Sequence, residues 1–266
     1  MVALDWGEPW ESGGWRVILT PAGHVLGSAM IHLTRLSDGA TLLYTGDYKL
    51  RRGLSCEPAV PLKADLLIME CTFGLPRYVF PETDSLQVQI QDWCRAALER
   101  GAVPVLLAYS LGKAQEVQMM LGGKFRVAVH PAVAAMNAVY TGFGMALPPW
   151  EPADPLPEGA VLVTPPASGH QSVLDKLPRR AVAMVSGWGL DPSARYRYRV
   201  DQVFPLSDHA DYPDLLRLVD LVAPRRVLTT HGYCTEFAAA LRARDVDAWS
   251  LHGGDQLELF NDAAFT

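Results

Sequence analysis

The run "ADLLIMECT", residues 64 to 72, decides the fold. It is apolar without alternation from Leu66 to Met69, which suits a short strand buried on both faces of a sheet. Ahead of it, "WRVILT" (15–20), "SAMIHLTRL" (28–36) and "TLLYTG" (41–46) read as strands. The turn "SDGA" joins the last two as a hairpin. Behind it the texture changes. Thr83 and Asp84 offer an N-cap to "SLQVQIQDWCRAALER", whose apolar residues recur at helical spacing and whose end is marked by Gly101. "AVPVLLAYS" follows as a strand, "GKAQEVQMML" as a helix, "FRVAVH" as a strand and "PAVAAMNAVY" as a helix with Pro131 in its first turn. This alternation is that of an α/β unit with a parallel sheet.

A Pro-rich stretch from Gly144 to Gly159 reads as an irregular surface loop, because the strand-like "AVLVTP" and "AVAMVSGW" resume after it. The tail is a further strand-helix-strand-helix set. "VFPLS" leads into "DHADYPDLLRLVDLV", with Asp211 as N-cap and Pro213 in the first turn. Then come "RRVLTTHG", "TEFAAALRARD" and "AWSLH".

The chain has 266 residues, 49% of them hydrophobic, enough for one large domain or two modest ones. No apolar run approaches the ~20 residues of a membrane span, and no charged-then-apolar leader opens the sequence. No membrane partner and a cytoplasmic location are therefore expected. Cys56, Cys71, Cys94 and Cys234 form no CxxC pair and read as reduced thiols. The net charge of -6 argues against a passive nucleic-acid coat. It leaves room for a nuclease, whose bound divalent metals supply local positive charge. In "RYRYR", alternation on a strand would place Arg195, Arg197 and Arg199 on one face. Such a stripe is either a phosphate-binding surface or an edge strand protected by charge.

Chemistry collects at strand ends. His24 follows "VILTPAG", in a kink bounded by Gly23, Gly27 and Ser28. Asp47 follows "LLYTG", Glu70 follows "DLLIM", His209 follows "VFPLSD" and His231 follows "VLTT". In open α/β sheets ligands sit in the crevice beyond the strand carboxyl ends, so five metal-capable or acid/base residues there point to one site. Other signals are weaker. There is no GxSxG elbow for a serine hydrolase. "GFGMAL" does not follow a clear strand, and "SLGKAQ" lacks the first Gly and the Ser or Thr of a phosphate loop. His231 and Cys234 are spaced to chelate zinc, but no second pair completes a set of four ligands.

In order, "PAGHVLGSA", "YTGDYK", "MECTFG", "SDHADY" and "TTHG" resemble the successive motifs of the metallo-β-lactamase-fold nucleases with a β-CASP domain. "TFGLP", "VSGW" and "LSDHADYPDL" are similar to the bacterial ligase-associated DNA exonucleases within that family. The resemblance covers nearly the whole chain. It implies a metallo-β-lactamase-like αββα sandwich, incomplete at its N-terminus, built from residues 1–83 and 189–266. Residues 84–188 would be the inserted α/β β-CASP domain.

The resemblance further implies a zinc-dependent phosphodiester hydrolase: a single-strand DNA exonuclease in repair, with an RNA-processing nuclease as the alternative. His24 would ligate one zinc, Asp47 would bridge two, and His231 would ligate the second. Glu70 and His209 would form the pair that donates a proton to the leaving oxygen. The implied partners are single-stranded nucleic acid, DNA ahead of RNA, and by analogy a DNA ligase and a helicase. Lys113, at a helix start, is expected to join Arg195, Arg197 and Arg199 in the strand-binding groove.

One departure stands out. The family's main zinc signature, HxHxDH, lies upstream of the "PAGH" motif, and none of the seven histidines here are spaced H-x-H. Two ligands per zinc would remain, below the three that catalytic sites normally keep, so zinc would be bound partially or not at all. Cys234 or His252 could replace a missing ligand. A misassigned start or truncation, a catalytically inactive module that binds nucleic acid or a partner, and completion by a separate fragment are the three explanations. The first is favoured.

Overall fold

The computed structural model describes residues 3–166, 177 and 179–251. His252 lies outside them. The chain forms two compact units, one from Met1–Val79 with His209–Thr266 and the other from Phe80–Asp208.

The first unit opens with β1 (Trp10–Ser12), β2 (Trp15–Pro21), β3 (Ala29–Arg35), β4 (Thr41–Tyr44) and β5 (Leu66–Cys71). The second unit runs α1 (Thr83–Glu99), β6 (Val103–Leu107), α2 (Lys113–Leu121), β7 (Val127–Val129), α3 (Pro131–Gly142), β8 (Glu151–Pro152), β9 (Val161–Thr164), β10 (Arg180–Val185), a short helix α4 (Ala194–Tyr198) and β11 (Gln202–Phe204). The chain then returns to the first unit with α5 (Tyr212–Val222), β12 (Arg226–Gly232), α6 (Cys234–Arg242) and β13 (Ala248–Ser250).

The sheet of the first unit has the order β1-β2-β3-β4-β5-β12-β13. It is antiparallel as far as β4 and parallel from β4 to β13. Strand β5 is therefore central, with Leu66 opposite both Leu42 and Arg226. Both edges of β5 are paired, but its two faces are not equally buried as the apolar run suggested: Leu67 and Met69 are buried, Leu66 and Ile68 half-buried. Leu67 and Met69 are buried with Leu43, Met30 and Val227. Leu215, Leu218 and Val222 of α5 and Phe237, Ala238 and Leu241 of α6 close the same cluster.

The second unit is a parallel sheet of order β11-β10-β6-β9-β7-β8. Successive residues of β6 enter two cores. Leu106 meets Ile90 of α1, Val117 of α2 and Val133 of α3, while Val105 and Leu107 meet Leu162 and Met184. Both faces are covered, as a parallel sheet requires.

Three expectations need correction. The boundary expected between residues 188 and 189 falls between Asp208 and His209, because β11 pairs with β10 in register Val185 to Phe204 and belongs to the second unit. The Pro-rich loop contributes the short edge strand β8. "RYRYR" is not a strand. Ala194–Tyr198 is a short helix, entered through Asp191, whose carboxylate accepts from the amide and hydroxyl of Ser193 at 2.8 Å. Arginine is a good helix former and the stretch holds no β-branched residue, so local hydrogen bonding overrides the alternation.

A buried amide network ties α2 to α3. Gln115 and Gln118 donate from Nε2 to Asn137 Oδ1 at 2.8 and 3.1 Å, and Asn137 Nδ2 donates to Gln118 Oε1 at 2.8 Å. Asn137 is 0% exposed, so Asn137→Ala strands the Gln118 oxygen without water. The expected cost is about 1–3 kcal/mol. It should appear in urea unfolding as a lower midpoint with an unchanged slope.

Candidate metal centre

The kink around His24 is built by backbone demands. Gly23 and Gly27 both have φ +76°. The amides of His24 and Val25 donate to Ser28 Oγ at 3.1 and 3.2 Å, and Ala22 N donates to the Ser28 carbonyl at 2.8 Å. A Cβ on Gly23 would stand 2.4 Å from the Lys49 carbonyl oxygen. The turn is thus pressed against the segment after β4, the segment that carries Asp47. In the sequence Ser28 only bounds the kink; in the structure its hydroxyl fixes the turn.

His24 Nε2 lies 3.9 Å from Asp47 Oδ2. Ring centroids of His24 and His209 are 4.7 Å apart. One ligand atom from each of His24, Asp47 and His209 falls within 4.8 Å of the others, so residues from three separate loops converge. Asp47 is the open member, 46% exposed at its side chain.

Behind His209 stands Glu70, 1% exposed at the end of β5. Its carboxylate pairs with His209 Nδ1 at 2.9 Å and accepts from the amides of Thr72 at 2.9 Å and Tyr48 at 3.3 Å. Burial works against the charge on Glu70. The neighbouring His209 and the Thr72 hydrogen bonds outweigh it and hold the carboxyl below the usual carboxylate range. Such a carboxylate fixes the orientation of an imidazole and leaves Nε2 as the nitrogen for chemistry.

The donors suit zinc. Two ligands of one ion at ~2.0–2.2 Å each can be as far apart as the His24 and Asp47 atoms are, and imidazole with carboxylate is an ordinary zinc set.

The other expected site residues are not members of this three-residue cluster. His231 is not a member of the cluster found among the described residues. It is exposed, adopts φ +53°, and has Nδ1 3.3 Å from Thr230 Oγ1. Cys234 Sγ, three residues on, lies 3.5 Å from Cys71 Sγ. Lys113 is not a surface cation. It is 3% exposed, and its Nζ pairs with Asp208 Oδ1 at 3.0 Å within the second unit. Arg197 is 3.6 Å from Asp191 and lies over the Tyr198 ring at 5.2 Å. Arg197 and Arg199, with Arg180, line a cleft of about 600 Å³ in that unit. Arg195 is exposed.

Residues 193–250, which include His209 and His231, match the Zn-dependent metallo-hydrolase RNA specificity domain. This match and the relatives below are consistent with a metallo-β-lactamase-fold, β-CASP metallo-hydrolase. Among β-CASP relatives, it is 24% identical over 314 residues to the transcription termination factor FttA of Pyrococcus abyssi, covering 91% of this chain and 48% of that one. It is 30% identical over 139 residues to the endoribonuclease YSH1 of Yarrowia lipolytica, covering 52% of this chain and 16% of that one. It is 47% identical over 245 residues to a probable DNA ligase of Opitutus terrae, covering 91% of this chain but 24% of the ligase. A crystal structure of a protein of unknown function from Enterococcus faecalis shares the fold, with TM-score 0.56, 15% identity, and coverage of 87% of this chain and 62% of that one.

Gly23→Ala tests whether the kink is set by the close approach to Lys49. A methyl group 2.4 Å from the carbonyl oxygen, at φ +76°, must displace one of the two segments. The expected loss is about 1–3 kcal/mol of stability, read as a lower melting temperature. Weakened zinc retention should accompany it, because His24 is the next residue.

Proposed function

We propose that this chain contributes the catalytic centre of a zinc-dependent hydrolase of phosphodiester bonds in single-stranded nucleic acid. The observation that carries the reading is the convergence of His24, Asp47 and His209 with Glu70 buried behind them. In this proposal His24 and Asp47 hold zinc. The bound ion would supply Lewis-acid stabilisation and a nucleophilic hydroxide near neutral pH. Glu70 sets the tautomer and orientation of His209 and favours its protonated form, and His209 delivers a proton to the leaving oxygen. His231, at the C-terminal end of β12, is the proposed ligand of a second ion.

DNA is the first substrate reading, because a segment very like this chain forms part of a probable DNA ligase in Opitutus terrae. With it we propose a single-strand exonuclease acting beside a ligase and a helicase in repair, in the cytoplasm; the likeness to a ligase segment supports the ligase part of that setting. RNA is the second reading. It is supported by the RNA specificity domain match and by the endoribonuclease YSH1. Matched DNA and RNA oligonucleotides, incubated with zinc and the chain, distinguish the two.

Asp47→Ala should lose both bound zinc and cleavage. His209→Ala should keep its zinc and lose about 10²–10⁴-fold in turnover on oligonucleotides. Its loss should be smaller on an aryl phosphodiester, whose leaving group needs no proton. Zinc analysis beside both assays reads this. Loss of zinc from His209→Ala would make His209 a ligand and not the acid.

Arg195, Arg197 and Arg199 are the proposed phosphate-binding residues of the second unit. Replacing all three with Ala should weaken single-strand binding and lower its salt dependence, by about 0.7 in slope for each phosphate no longer neutralised. Unchanged binding would remove them from the interface.

A further inference from the structure

An aromatic array leads away from the metal centre within the first unit. The His209 ring meets Phe73 at 6.2 Å, Phe73 meets Tyr78 at 5.0 Å, and Tyr78 meets Tyr233 at 5.7 Å between centroids. At its far end the guanidinium of Arg77 sits 4.9 Å from the Tyr78 centroid and 5.6 Å from that of Tyr233. Arg77 Nη2 donates to both phenolic oxygens, at 3.2 and 3.1 Å, and those oxygens are 3.1 Å from each other.

The parts differ in exposure. Phe73 and Tyr78 are buried, Tyr233 is half-buried, and Arg77 is exposed. Tyr233 is also held by an unusual backbone. His231 has φ +53° and Gly232 has φ +96°, and a Cβ on Gly232 would meet the Cys71 carbonyl oxygen at 2.4 Å. The Tyr233 amide then donates to that same carbonyl at 3.0 Å. Non-glycine residues adopt positive φ at a cost, and the surrounding structure must sustain it. Here the result is a fixed tyrosine under an exposed, flat cation.

We propose that Arg77 and Tyr233 form a nucleotide subsite, stacking a base and contacting a phosphate of the strand whose scissile bond lies at His24, Asp47 and His209. The proposal rests on the phosphodiesterase reading above for the identity of the strand. Its chemistry is independent of the metal. A guanidinium plane backed by two phenol rings offers a rigid face to any base, and stacking needs no particular sequence. The edge of the same group supplies hydrogen-bond donors and full charge to a phosphate. With Nη2 directed to the phenols, the plane is fixed in advance, so little conformational freedom is lost on binding.

The test is fluorescence anisotropy with labelled oligo-thymidylate and oligo-uridylate, with zinc chelated so that cleavage plays no part. One stacked base is worth about 1–3 kcal/mol, which is roughly 5- to 150-fold in affinity. Arg77→Ala should weaken binding within that range and lower the salt slope. Arg77→Lys should keep the slope, since it keeps the charge, yet lose affinity because an ammonium cannot stack. Tyr233→Phe, which keeps the ring, should bind more tightly than Tyr233→Leu, and this pair keeps the question open to test if Arg77→Ala misfolds. A purely structural latch would instead lower the melting temperature while leaving folded Arg77→Ala with wild-type affinity and slope; that result overturns the subsite. Absence of cleavage by the zinc-loaded chain would count against the phosphodiesterase reading and leave the binding result to decide this one.

Discussion

The contact between His209 and Glu70 is the constraint on which the site depends. It joins residues 139 apart in sequence, one at the end of the central strand and one where the chain returns from the second unit. A carboxylate at 1% exposure is tolerated only when its charge is met by donors. Two backbone amides and an imidazole meet it. Removing one partner of such a buried pair typically costs about 3–5 kcal/mol, because the other charge stays behind. Stability and site geometry therefore share one interaction, and the order of the site is inherited from the core of the sheet.

The returning segment is held at further points along its first residues. Ala210 N donates to the Tyr48 carbonyl at 2.8 Å, and Tyr212 N donates to the Tyr78 carbonyl at 3.0 Å. Asp211 caps α5 through the Asp214 amide at 3.1 Å and meets Arg51 Nη2 at 3.3 Å. "SDHADY" is thus less a helix start with a histidine in it than a clamp. Each of its residues from His209 to Tyr212 is tied to the end of β5, which carries Glu70, or to the loops that follow β4 and β5, the first of which carries Asp47.

What the sequence revealed follows from locality. Strand β5 declared itself because a central strand must be apolar, and Asp211 because capping is a matter of three residues. His24, Asp47, Glu70 and His209 were legible as polar groups at strand ends. What failed was the reading of side-chain destination. Lys113 looked like a surface cation because charge normally stays in water, and nothing near it in sequence announced Asp208. "RYRYR" has strand-like alternation, but Asp191 offers the backbone a nearer partner. Arg77 and Tyr233 carried no pattern at all, since their meeting needs two loops from distant parts of the chain. The "HG" that ends β12 held a trace of it: a glycine at a strand end marks a close backbone approach, here to Cys71.

Charge explains how an acidic chain can address a polyanion. The overall balance is -6, and Asp47 and Glu70 add negative charge where a phosphate would arrive. A strand would be repelled from these carboxylates unless cations stood beside them. In the proposed function that requirement divides into fixed and exchangeable parts. Arginines are the fixed part: Arg77 in the first unit, and Arg180, Arg197 and Arg199 around a cleft in the second. The exchangeable part would be the divalent ion proposed for His24 and Asp47, which would reverse the local sign when bound. In the proposed site Asp47 would serve the ion, Glu70 would orient His209, and the arginines would serve the strand. Net charge then says little about partners, because attraction is built at close range and screened within about 10 Å at 0.1 M salt.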